Sequence, residues 1–109
     1  MKRFLLAVAL AAVMAPAANA AKVNPIAQRC EAMAQQADQA MGAPLGDNVY
    51  SACMQGAEHG RKGDTARRDK TIRILNEQAA TMNGMDRAAL NYVRAGYQAG
   101  FNAGAAQRE

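Results

Sequence analysis

The chain is 109 residues long, with 13 Lys and Arg against 9 Asp and Glu, a formal net charge of +4, one His, two Cys and no Trp. That length supports a single domain with a modest core. Three Tyr and two Phe exclude a large aromatic core, and Val, Ile and Thr are too few and scattered for strands in a chain rich in Ala, Gln, Met and Arg, so the predicted fold class is all-α, a small bundle of about four short helices.

The first twenty residues stand apart. Met1-Lys2-Arg3, an apolar run from Phe4 to Ala15 and then Pro16-Ala17-Ala18-Asn19-Ala20 follow the order of a cleavable secretory signal peptide, with small residues at Ala18 and Ala20 directing cleavage before Ala21. The apolar run is roughly 12 residues where a bilayer span needs about 20, which argues against an anchor. The expected product, residues 21–109, is periplasmic or secreted and does not span a membrane. Losing Lys2 and Arg3 leaves 11 basic residues against 9 acidic, a balance that with export removes the case for nucleic acid as a partner.

From Pro25 to Met41 the less polar positions Ile26, Cys30, Met33, Ala37 and Ala40 or Met41 recur every three or four residues, which predicts one buried face of a helix over about 25–41. Asn24 before Pro25 is the expected N-cap and Gly42 the expected stop. The opposite face, with Gln28, Arg29, Glu31, Gln35, Gln36 and Asp38, is expected to be wet. A second helix, about 44–59, carries Val49, Cys53, Met54 and Ala57 and ends at Gly60 or Gly63. A third, about 64–82, is capped by Asp64 or Gly63 and has Ile72, Leu75, Ala79 and Met82 as its apolar stripe. Asn83 with Asp86 resembles a capping box for the fourth. That helix, about 85–103, is expected to bury Met85, Ala89, Tyr92 or Val93, Gly96 and Gly100.

The two cysteines carry the strongest chemical signal. In an oxidising compartment a Cys30–Cys53 disulfide joining the first two helices would persist, and closing a loop of about 23 residues would destabilise the unfolded state by roughly 3 kcal/mol. A redox or metal centre is the weaker reading, because Cys-x-x-Cys spacing and a basic activating group are both missing. The second signal is the repeat Ala95-Gly96-Tyr97-Gln98, Ala99-Gly100-Phe101-Asn102, Ala103-Gly104. Each glycine inside a helix costs up to about 1 kcal/mol relative to alanine, so three in register imply a close neighbour. That neighbour is either the first or second helix of the same chain or a helix of a partner or second copy. In the second case Gly96, Tyr97, Gly100, Phe101 and Gly104 form an interaction surface.

The third signal is the basic stretch Arg61, Lys62, Arg67, Arg68, Lys70 and Arg73, with Asp64 and Asp69 the only acidic residues among them, a candidate surface for anionic lipid headgroups, lipopolysaccharide or an acidic protein face. Lone His59 has no sequence-evident catalytic partners. Met54 with His59, or Met82 with Met85, offers soft ligands to copper, but helical spacing favours core filling; no metal site or cofactor is assigned. With no phosphate loop, haem motif, zinc spacing, nucleophile elbow or paired catalytic carboxylates, catalysis is not expected. The expected function is that of an exported binding, inhibitory or chaperone-like accessory protein acting by protein contact, on an unknown partner or as a homodimer. The alternatives are an envelope anion-surface binder or a Met/His metal carrier.

Overall fold

A computed structural model describes residues 25–108. The expected signal peptide and the expected cap Asn24 lie outside the described residues. Within them are four helices, α1 Pro25–Met41, α2 Leu45–Arg61, α3 Thr65–Ala80 and α4 Gly84–Gln107, and none is long and apolar enough to cross a membrane.

α1 and α2 form an antiparallel hairpin. Gly42 adopts a left-handed φ of 99°, as a helix-terminating glycine does, and the Cys30–Cys53 disulfide spans the pair with its Cα atoms 5.5 Å apart. Pro44 supplies no side-chain cap for α2. Instead the Gly46 N–H donates to Asp38 Oδ1 at 2.6 Å, so a carboxylate from α1 sits on the positive end of α2. Asp38 is therefore half-buried, not on a fully wet face.

α2 runs through Gly60 to Arg61 and does not stop at Gly60. It ends where Gly63 turns to a φ of 66°: the Gly63 N–H donates to Gly60 O at 2.9 Å and the Asp64 N–H to His59 O at 3.0 Å, a Schellman motif that satisfies two terminal carbonyls. Asp64 then caps α3 by accepting from the Arg67 N–H at 3.0 Å, as expected. α3 is shorter than expected. Its last turn closes through Thr81 and Met82 N–H groups, leaving Met82 half-buried in the connection. Asn83 occupies the N-cap of α4 without a side-chain hydrogen bond, so the expected capping box does not form. Met85, expected inside, is 66% exposed, because the close face of α4 begins only at Gly96. α4 also continues past residue 103 to Gln107.

The core consists of Ile26, Cys30, Ala34, Ala37, Val49, Cys53, Ala57, Tyr97 and Phe101, drawn from α1, α2 and α4. None of its members comes from α3, which has no buried residue. α2 and α4 lie parallel at the centre. A Cβ at Gly100 would overlap the Cys53 carbonyl, and one at Gly104 the Ala57 carbonyl; conversely, Cβ atoms at Gly56 and Gly60 would overlap the Tyr97 and Phe101 carbonyls. The two helices thus present Gly-x-x-x-Gly lines to each other reciprocally, each glycine admitting the partner's backbone. α3 returns antiparallel along α4, held by Arg94 Nη1 donating to Asn76 Oδ1 at 2.7 Å and Arg87 Nε donating to Ala79 O at 3.1 Å.

Candidate functional site

The parallel α2–α4 contact determines what surrounds His59. One turn beyond Gly56, the histidine faces α4 at the position where Tyr97 points back. The ring centroids are 5.7 Å apart in an edge arrangement, and His59 Nδ1 and the Tyr97 hydroxyl share a 2.6 Å hydrogen bond. With the ring proton on Nε2, the phenol donates. His59 is 8% exposed and Tyr97 1%, so the phenol and the histidine Nδ1 satisfy each other inside the fold, as buried polar groups require. Burial pushes the Tyr97 phenol above its usual value; a hydrogen bond from the Thr71 side chain on α3 works against that shift, Asp64 adds to it, and Arg68 and Arg67 oppose it.

Above this pair is an open cleft of about 360 Å³ lined by Gln55, Glu58, His59, Lys62, Asp64 and Arg67. Its charges are mutually compensated: Lys62 Nζ lies 3.3 Å from Glu58 Oε2 and Arg67 Nε lies 3.8 Å from Asp64 Oδ2. Arg61 also approaches Glu58, at 3.8 Å, and Arg68 Nε donates to Asp69 Oδ1 at 3.0 Å. Of the six basic residues singled out in the sequence, only Lys70 and Arg73 carry no ion pair among the described residues. The run is also divided in space. Arg61 and Lys62 end α2, Arg67 borders the histidine cleft, and Arg68 and Arg73 line a separate depression with Ile72 and Asn76. Arg68 in addition lies 5.1 Å from the centroid of the Phe101 ring, a cation–π contact. The stretch is a solvated, largely paired surface divided among three places on the molecule.

The glycine line finds its close neighbour within the chain. Gly96, Tyr97, Gly100, Phe101 and Gly104 are all buried, and α2 fills the groove they make. Their neighbour is the second helix, one of the two alternatives left open by the sequence, so the groove is not free for an outside helix in this conformation. The candidate soft ligands are dispersed: Met54 packs on the Ile26–Cys30–Cys53–Ala57 cluster, Met82 is half-buried and Met85 stands outside. Among the described residues no group of three or more His, Cys, Asp or Glu side chains is placed to hold a metal ion.

Sequence reasoning missed Thr71 and the His59–Tyr97 pairing, which joins residues 38 apart. The usable signal was Gly56-x-x-x-Gly60, which repeats the spacing of Gly100-x-x-x-Gly104 and sets His59 beside the α4 line. No protein family, curated protein or solved structure matches this chain in the three comparisons made.

Proposed function

We propose that this protein is exported and acts as a small binding or accessory protein through protein contact, without catalysis. The observation that carries the reading is α3. It contributes no buried residue, yet on its outer face Ile74 is 42% exposed, one turn from Lys70 and beside Arg73. An exposed branched apolar side chain flanked by unpaired cations suits a partner that combines apolar contact with acidic groups. The apolar N-terminus and the disulfide support export, since such a bond persists outside the reducing cytosol.

Site-specific photocrosslinking in the native envelope tests this. A photoreactive residue at Ile74 is expected to give a discrete adduct, and one at Gln35, on the wet face of α1, none. A chain-with-chain adduct would identify the partner as a second copy. Equal labelling from both positions, or none from Ile74, would refute the reading.

A further inference from the structure

The four helices are not held equally. α1 is covalently tied to α2, and α2 is interlocked with α4 by glycines that admit the facing backbone from both sides. Those three helices would have to break a disulfide or lose several close backbone contacts at once to separate. α3 has neither restraint. Two of its ties to α4, Arg94 to Asn76 and Arg87 to the Ala79 carbonyl, are exposed hydrogen bonds, for which water substitutes at little cost. Its apolar side chains Ile72, Leu75 and Ala79 are only half-buried, so undocking would forfeit part of their transfer energy, not all of it.

Both ends of α3 are bounded by glycines in the left-handed region, Gly63 at φ 66° and Gly84 at φ 61°. Such positions absorb backbone rotation without a side-chain penalty. Beneath α3 lies what it protects. Arg68 lies over the Phe101 ring, and with α3 in place Tyr97 and Phe101 are 1% and 4% exposed.

We propose that α3 is a hinged cover that undocks as a unit about Gly63 and Gly84, uncovering the Tyr97 and Phe101 rings while α1, α2 and α4 stay together. Opening follows from the unequal restraints alone and does not depend on the partner reading. Once detached, a 16-residue helix is marginal in water, so its amides exchange. The low-stability end of the molecule is then the element lying over its aromatic floor.

Hydrogen exchange of the oxidised protein, read by peptide mass spectrometry, is combined with nitration quantified at Tyr97. Amides of residues 65–80 are expected to exchange about tenfold or more faster than those of α2, and Tyr97 to react at a rate that follows them. The double variant Arg68→Ala, Arg94→Ala should accelerate both together while α2 protection stays unchanged. Uniform exchange across all four helices would overturn the proposal. So would a Tyr97 reactivity that stays constant as α3 exchange rises. Should the double variant lose α2 protection, the wild-type comparison of α3 with α2 decides alone, since it needs no substitution.

Discussion

Tyr97 shows how one residue binds helices that are far apart in sequence. Its ring packs edge-on against His59 of α2, and its hydroxyl shares a hydrogen bond with that histidine. Because burial favours the neutral phenol, its folded pKa lies above the unfolded value of 10.0. Its stabilising contribution is therefore complete below about pH 10 and is lost as pH rises through the folded pKa. Tyr97→Phe removes the hydroxyl and leaves His59 without its partner, which should cost about 1–3 kcal/mol near neutral pH. The gap between variant and wild type should then narrow above the unfolded pKa, where only the wild type must keep a phenol protonated. Urea unfolding at neutral and alkaline pH checks this, and a gap independent of pH would contradict it. Asp38 makes the same point on a smaller scale: placed by periodicity on the wet face of α1, it is drawn in because the Gly46 N–H needs an acceptor.

For the helices, the decisive feature is reciprocity. α4 alone displays three glycines at four-residue spacing, and that line implied a close neighbour. Only the facing pair on α2 shows why the spacing is used: each helix lends its backbone to the other's glycine gap. Gly100→Ala should destabilise by about 1–3 kcal/mol through overpacking against the Cys53 carbonyl, outweighing the gain of up to about 1 kcal/mol in helix propensity. Thermal unfolding followed by circular dichroism reads the result, and a variant as stable as the parent would rule out the close approach. Met85 failed to follow its periodic assignment for a related reason. The early turns of α4 precede the glycine line, where α2 no longer approaches closely, and the side chain is left in solvent.

In the molecule as a whole, the buried residues are concentrated in α1, α2 and α4. The Cys30–Cys53 bond closes a loop spanning 23 positions, so reduction and alkylation should lower unfolding stability by about 3 kcal/mol, read as a shift in the denaturant midpoint. An unchanged midpoint would show that the cross-link restrains nothing the unfolded chain would otherwise sample. The helix count, the Asp64 cap and the cysteine pairing were all legible beforehand, because each depends on residues near one another or on the only two cysteines in the chain. The site was less legible. Its basic residues were found, but not their compensation by Glu58, Asp64 and Asp69, and His59 was found without its partner.

By itself, then, the order of amino acids determined that four helices form, roughly where each lies and which sulfurs join, since apolar periodicity and glycine stops act over a few residues. It also marked a groove on α4 that something must enter. The tertiary structure alone decided that α2 enters it in parallel, that His59 and Tyr97 consequently meet, and that α3 lies over them without burying a residue of its own. Those outcomes depend on which pairs of helical surfaces fit at atomic range, and such complementarity is shared between segments dozens of residues apart, not written within either one.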